Sequence, residues 1–122
     1  MSETGLWAGV ALLGGLGALL RFVVDALVTL RVAGRAPLGT LVVNVSGSLA
    51  LGALTGASAG RGVSLLLGAA LIGGYTTFST WTWESLLLAE DRRGGGALAN
   101  VLVHVVLGLL AAWAGWELGE RA

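Results

Sequence analysis

The chain has few of the residues that make a protein surface soluble. It contains no cysteine, no lysine and one histidine, and charged residues make up 11% of its 122 residues, against about 25% in ordinary soluble domains. Without cysteine, disulfides and thiolate metal sites are excluded. Seven arginines balance seven acids, so no basic surface points to a nucleic-acid partner. Because 56% of the residues are hydrophobic, the chain cannot cover a water-facing globule of its size.

Long apolar segments occupy most of the sequence. They run over about residues 6–30, 38–57, 63–89 and 97–118, and each reaches or exceeds the length of about 20 residues that spans a bilayer core. The first segment does not resemble a signal peptide, because it lacks a basic start and continues through Arg21 and Asp25. We expect an all-α membrane protein in which residues 1–122 form one integral domain of four transmembrane helices.

The segments between the helices are short and hold most of the charge. Loops are expected at residues 31–35, 59–62 and 90–96, and the glycine run 94–96 is interpreted as part of the last loop. No appended soluble domain is recognisable in which an enzyme could reside. We therefore expect a protein that is not an enzyme and whose function lies within the helical bundle.

The third helix is interrupted between Gly73 and Glu84, where the sequence reads GGYTTFSTWTWE. Two glycines weaken a helix, and hydroxyl side chains offer its backbone other hydrogen-bonding partners. We expect the helix to be broken near mid-membrane and to expose carbonyl and amide groups. Such groups are tolerated at that depth only inside protein or beside a water-filled path, so the break is the candidate ion site.

Helix two carries polar residues on one face. Thr40, Asn44 and Ser48 are spaced four apart, and Thr55 returns to the same face. The stripe either lines a path or joins neighbouring helices by hydrogen bonds, each stabilising by about 0.6 to 2 kcal/mol. Asn44 is the sharper candidate for a path, because its amide has two N–H donors and is harder to hide in lipid than a hydroxyl.

Helix four repeats this spacing with Asn100, His104 and Gly108. Asn100 and His104 are placed to face the stripe of helix two. His104 is either a pathway residue or a neutral, hydrogen-bonded packing group. It has no partner ligands at metal spacing, so a metal site there is not expected.

Arg21 and Glu84 are the charges that cost most inside a membrane. Helices one and three run in the same direction, so both residues are expected toward the face that holds loops one and three. They either form an ion pair or share a water-filled vestibule, and Asp25, one turn beyond Arg21, is a competing partner. An isolated arginine at a helix centre costs about 2.5 to 3.5 kcal/mol on insertion scales, so pairing or snorkelling is expected.

The arginines give only a weak preference for one orientation in the membrane. One face holds Arg31, Arg35, Arg92 and Arg93, whereas the other holds Arg61 and Arg121. Insertion in both directions followed by antiparallel pairing, or pairing with a differently charged second chain, is therefore expected.

A single chain of four thin helices encloses little space, so a dimer is the natural way to make a pore. The spacings of Gly5 with Gly9 and of Gly52 with Gly56 favour close contact between helices.

Three longer motifs follow one another along these helices. They read GGLGALLRF from Gly14 to Phe22, PLGTLVVNVSGSLALG from Pro37 to Gly52, and GGYTTFSTWTWE from Gly73 to Glu84. Together they resemble the Fluc or CrcB-type bacterial fluoride channels, over nearly the whole chain. The resemblance implies a fluoride-selective channel that exports fluoride passively across the cytoplasmic (inner) membrane and gives fluoride resistance. It also implies an antiparallel, dual-topology homodimer with two pores and a central structural sodium ion, although some members assemble from two homologous chains.

The resemblance further implies roles for individual residues. Asn44, Phe78 and the position of Trp81 would line the fluoride pore, and backbone carbonyls of Gly73 and Thr76 would bind sodium, two from each chain. Because a fluoride path must replace the ion's water with compact donors, the hydroxyls of Thr40, Ser79 and Thr80 are expected to line it as well. Trp81 departs from the family, which has a second phenylalanine at this position. Its ring also has a positive edge that suits an anion, and it adds an indole N–H donor, but its larger volume would reshape the path.

Two other functions remain for a short four-helix chain. A small multidrug-resistance-type exporter exchanges protons through a glutamate in helix one, where this chain has Arg21 and no glutamate beyond Glu3. A non-transporting membrane scaffold subunit would explain the glycine spacings but not the hydroxyl-rich break.

Overall fold

The computed structural model describes residues 2–32, 38–92 and 94–122, and the regular secondary structure in these ranges is entirely helical. We label the helices α1 (Glu3–Val32), α2 (Leu38–Gly56), α3 (residues 61–75), α4 (Ser79–Glu90) and α5 (Gly94–Glu120). Four spans are long and apolar enough to cross a membrane: Glu3–Val32, Leu38–Gly56, Arg61–Glu90 and Gly94–Glu120. The predicted all-α fold with four transmembrane helices is thereby confirmed.

The third span is broken where the sequence predicted it. It contains α3 and α4, and residues 76–78 between them are not helical. Within α3, Ser64–Ile72 is a π-helix, flanked by the α-helical turns Arg61–Val63 and Gly73–Tyr75. The break was expected from the glycines and hydroxyls, but the π-helix before it was not.

The glycine run 94–96 was wrongly interpreted as a loop, because α5 begins at Gly94. Glycine costs about 1 kcal/mol relative to alanine inside a helix, but a membrane requires its backbone groups to be bonded within the segment, which favours helix up to the end of the span. Of the residues used for topology and motifs, Arg35, Pro37 and Arg93 lie outside the described residues.

Helices α2 and α5 contact each other through their backbones. A Cβ added at Gly52 or Gly56 would overlap the carbonyl oxygens of Ala112 or Trp116, and one added at Gly115 would overlap that of Leu49. This is the close approach that the spacing of Gly52 and Gly56 predicted. Among apolar side chains of the described residues, only Leu6, Val43 and Ala70 are buried, so most of the chain's apolar surface faces outward.

Helix α1 fixes the end of α3 in the same way. A Cβ added at Gly74 would overlap the carbonyl oxygen of Gly14, and one added at Gly17 would overlap that of Leu71. Because close-packed backbones cannot shift without clashes, the last turn of α3 has a fixed position against α1. The position of the break relative to α1 is therefore fixed as well.

Substituting Gly115 by alanine should destabilise the protein, because its new methyl group would meet the backbone of α2. Overpacking of this kind typically costs about 1–3 kcal/mol. Gly15→Ala is the matched control, since a Cβ there meets nothing within 4 Å and the substitution should be neutral or stabilising. Thermal unfolding of both variants in detergent measures the difference, and equal melting temperatures would contradict the backbone contact.

Candidate functional site

The side chain of Asn44 spans the break in the third span. Its Nδ2 donates a hydrogen bond to the carbonyl of Thr77 at 2.8 Å, and its Oδ1 accepts one from the Thr77 backbone N–H, also at 2.8 Å. Thr77 is only 8% exposed, so water does not readily replace these bonds. The amide of Asn44 thus takes the place of the helical backbone partners that Thr77 has lost.

Thr77 also begins the helix that follows the break. Its Oγ1 accepts a hydrogen bond from the Thr80 backbone N–H at 3.1 Å, the usual role of a threonine at a helix start. The Thr77 hydroxyl donates to Thr80 Oγ1 at 3.1 Å, and Ser79 Oγ lies 3.3 Å from it. The predicted pore hydroxyls Ser79 and Thr80 are therefore gathered around Thr77, whose importance the sequence reasoning missed. The sequence signal that could have identified Thr77 is its position at the start of a helix, three residues before the backbone N–H of Thr80 that it caps.

These hydrogen bonds leave carbonyl groups at the C-terminal end of α3 and in the break without the partners they would have in a continuous helix. The Thr77 N–H, which would bond to the Gly73 carbonyl in a continuous helix, goes to Asn44. The Thr80 N–H, which would bond to the Thr76 carbonyl, goes to Thr77. Thr76 has an extended backbone, with φ −79° and ψ 161°. Carbonyl oxygens at such a helix end suit a hard cation, so the residues fit the sodium ligands that the sequence suggested.

The two aromatic candidates lie together after the break. Phe78 is 74% exposed, and its ring meets the Trp81 ring edge to face, with centroids 5.5 Å apart. Trp81 Nε1–H donates to the carbonyl of Asn100 at 3.2 Å, and its ring stacks on His104 at 5.4 Å. The indole N–H of Trp81 is thus used in a hydrogen bond to α5. The C–H edges of the Phe78 and Trp81 rings have no hydrogen-bonding role of this kind.

A hydrogen-bonded network joins α4 to α5 behind Trp81. Asn100 Nδ2 donates to Ser85 Oγ at 2.9 Å, and the Ser85 hydroxyl donates to the Trp81 carbonyl at 2.9 Å. Ser85 was not among the predicted site residues, because a lone serine late in a helix gives no signal of a partner on another helix. The network joins the α4 backbone at Trp81 to α5, beside the residue whose carbonyl accepts from the Trp81 ring.

His104 is 7% exposed and belongs to the same network. Its Nδ1 lies 3.0 Å from the Asn100 carbonyl oxygen, which can only accept, so Nδ1 carries the proton. Nε2 is then an acceptor, and it is buried without a hydrogen-bond partner among the described residues. His104 stacks on Trp81 and lines the larger of two cavities, so it combines features of both roles that the sequence left open.

Glu84 pairs with a threonine rather than with an arginine. The hydroxyl of Thr40, which is 2% exposed, donates to Glu84 Oε1 at 2.5 Å. Over residues 2–32, 38–92 and 94–122, the one ion pair found joins Arg121 to Glu117 at 3.6 Å. Neither the Arg21–Glu84 nor the Arg21–Asp25 pair is formed. Asp25 instead lies against Gly39, where an added Cβ would overlap its carboxylate.

Two cavities flank the break. The larger, of about 920 Å³, is an open groove whose wall includes Asn44, Gly73, Thr76, Phe78, Trp81 and His104. The smaller, of about 210 Å³, is lined by Ala18, Arg21, Phe22, Asp25, Thr40, Val43, Thr77 and Thr80. Thr77 belongs to both walls, whereas Ser79 and Glu84 line neither. Most of the predicted residues therefore line one cavity or the other, and the two cavities share Thr77 in their walls.

Sequence comparisons agree on one family. The family described as "CrcB-like protein, Camphor Resistance (CrcB)" matches residues 8–116. A protein of Mycolicibacterium paratuberculosis named "Fluoride-specific ion channel FluC 2" is 51% identical over 120 residues, covering 98% of each chain. Its Mycobacterium bovis namesake is 50% identical over 110 residues, covering 90% of this chain and 87% of the relative. "Fluoride-specific ion channel FluC 1" of Symbiobacterium thermophilum is 45% identical over 121 residues, covering 93% and 96%.

Replacing Asn44 by aspartate should destabilise the protein. The carboxylate keeps an acceptor for the Thr77 N–H but removes the donor and sets an oxygen against the Thr77 carbonyl, and a buried polar group left unpaired costs about 1–3 kcal/mol. Ser48→Ala is the control, because Ser48 bonds only to the Asn44 carbonyl in its own helix. Thermal unfolding in detergent should separate the two variants, and equal losses would remove Asn44 from the support of the break.

Proposed function

This chain belongs to the CrcB-like family, and from that premise we propose that it is a fluoride-specific ion channel that conducts its ion passively. The observation that carries the proposal is the match over residues 8–116 together with relatives of about half identity that are named for this activity. With four membrane-spanning helices, the chain is a multi-pass membrane protein.

The residues around the break supply what a fluoride path needs. Fluoride is small and strongly hydrated, so a selective path must replace its water with compact donors and positive ring edges. Asn44 gives one N–H to Thr77 and has a second for the ion. The hydroxyls of Ser79 and Thr80 and the ring edges of Phe78 and Trp81, two rings that lie together after the break, are the further contacts. The Thr40 hydroxyl joins them when it is released from Glu84.

The smaller cavity is suited to the entry of an anion. Arg21 is half-buried in its wall beside the hydroxyls of Thr40 and Thr80, and a positive charge at the mouth of a path raises the local anion concentration. Asp25 lies in the same wall and opposes this effect. The Glu84 carboxylate accepts from Thr40, which keeps that hydroxyl from the ion in this arrangement.

The opposite side of the break is suited to a cation. The carbonyls of Gly73 and Thr76 have lost their helical donors, and both residues line the larger groove. A sodium ion bound there by two chains would receive four carbonyl oxygens and would join the two copies. The role of the sodium ion would be structural, because a hard cation bound by carbonyl oxygens fixes the positions of the backbone segments that carry them.

The larger groove also supports the proposal of an antiparallel, dual-topology homodimer. Most apolar side chains of the described residues face outward, and the groove is partly open, so a second copy would close it and complete a pore. The modest arginine bias is compatible with insertion in both directions.

In a cell the channel would lie in the cytoplasmic (inner) membrane. Fluoride enters from acidic surroundings as the neutral acid and ionises inside, and a passive channel returns the trapped anion down its electrochemical gradient. Resistance to fluoride follows without any energy source.

Fluoride efflux from liposomes tests the function and the ring contact together. The wild-type protein should release fluoride and retain chloride, and Phe78→Ile should reduce the release strongly because the positive ring edge is lost. Leu71→Ile, at a half-buried site in neither cavity wall, is the control. Equal flux in the two variants would assign Phe78 to packing. Proton-coupled export of organic cations, or no flux at all, would instead indicate an exporter or a scaffold subunit.

Trp81 needs a separate pair of variants. Because its indole N–H already bonds to Asn100, we expect Trp81→Phe to keep fluoride conduction and Trp81→Leu to reduce it. Fluoride flux is compared between variants that still purify with the wild-type oligomeric state. Slower flux in Trp81→Phe would mean that the N–H serves the ion, and normal flux in both would exclude contact between position 81 and fluoride.

A further inference from the structure

A hydrogen bond between α3 and α2 lies directly beside the proposed cation site. The hydroxyls of Tyr75 and Ser46 are 2.9 Å apart. Ser46 donates its own proton to the Val43 carbonyl at 3.1 Å, so Tyr75 is the donor and Ser46 the acceptor. The bond joins the last residue of α3 to the middle of α2 and has no part in the fluoride path described above.

The surroundings hold the rest of Tyr75 closely. A Cβ added at Gly47 would lie 3.4 Å from Tyr75 Cδ1 and would overlap the Thr76 methyl group. On the other side, a Cβ added at Gly17 would lie 2.9 Å from the Tyr75 backbone nitrogen. The residue is thus packed between α1 and α2, and its hydroxyl anchors the end of the ring to Ser46.

Tyr75 lies between the two residues whose carbonyls have lost their helical donors, Gly73 and Thr76. The hydroxyl of Thr76 is also anchored, to the Ile72 carbonyl at 3.1 Å. The final turn of α3 is therefore fixed by side chains rather than by a continuing helix, and the directions of its carbonyls depend on where Tyr75 is held.

We propose that Tyr75, through its hydrogen bond to Ser46, is a positioning residue for the cation site formed by the Gly73 and Thr76 carbonyls, a proposal that rests on the sodium site of the proposed function. A hard cation binds well only when several oxygens are held at matched distances. Loss of the Tyr75 hydroxyl leaves the ring packed on Gly47 but releases its far end. The carbonyls then lose preorganisation, and more sodium is needed to fill the site.

The test measures thermal unfolding of the purified protein in detergent across sodium concentrations, with choline chloride keeping the ionic strength constant. The variants are Tyr75→Phe, Ser46→Ala and the double variant. Thr29→Val is the control, because it removes an exposed hydroxyl that, among the described residues, bonds to Asp25 within α1. The readout is the sodium dissociation constant, the half-saturating concentration of the site, fitted from the rise of the melting temperature with sodium concentration.

Each single variant should need about three- to tenfold more sodium than the wild type, the size expected for one net hydrogen bond. The double variant should need no more than the singles, because both remove the same bond, and Thr29→Val should match the wild type. A half-saturating concentration equal to that of the wild type, or a melting temperature lowered equally with and without sodium, would overturn the positioning role.

Measurements on the wild-type protein distinguish failure of the Tyr75 positioning role from failure of the proposed sodium site. If its melting temperature does not respond to sodium, the sodium site fails and the role of Tyr75 fails with it. If it responds while the variants keep its sodium dependence, only the role of Tyr75 is overturned. Fluoride efflux by the wild type judges the channel function independently of either result.

Discussion

The two hydrogen bonds between the Asn44 side chain and the Thr77 backbone are the constraint on which the rest of the site depends. Inside a membrane every backbone group must find a partner within the protein, so a helix can stop and restart there only if something replaces its missing bonds. One carboxamide does this with a donor and an acceptor. Because Thr77 is satisfied from the side, α3 ends with unused carbonyls, α4 begins with a capped turn, and oxygen-rich and N–H-rich helix ends meet at one place.

Two kinds of contact support the break in the third span, and they differ in how much change they tolerate. Close packing of backbones at Gly17 and Gly74 fixes α3 against α1, and Gly47 of α2 packs against the side chains of Thr76 and Tyr75. On the side of α5, the Trp81 indole N–H and His104 Nδ1 both donate to the Asn100 carbonyl, and Asn100 Nδ2 donates to Ser85 of α4. The first kind accommodates no added atoms, whereas the second can be altered one bond at a time. The side of the site formed by α1 and α2 is therefore rigid, whereas the side formed by α5 can be adjusted.

The sequence predicted the helices and the break because each depends on local composition, namely long apolar runs and a cluster of glycines and hydroxyls. It identified Asn44 as important but not its partner, since Thr77 lies 33 residues away and only the packing of α2 on the break brings them together. The same limit applies to Glu84 and Trp81, whose partners depend on which helix face is nearest, and to the ion pairs expected of Arg21, which are not formed among the described residues. Glu84 bonds to Thr40 and Trp81 to Asn100, and neither contact has a periodic signature.

The π-helix of Ser64–Ile72 sets the angular phase at which the third span arrives at its break. A π-helical stretch places more residues in each turn than an α-helix does, and such stretches usually amount to an extra residue accommodated in a helix. Each residue of an α-helix advances the chain by about 100° around the axis. A chain shorter by one residue here would therefore present a different side of its final turn to α2, and Tyr75 would no longer point at Ser46. The spacing between Arg61 and Gly73 thus encodes a rotation as well as a length.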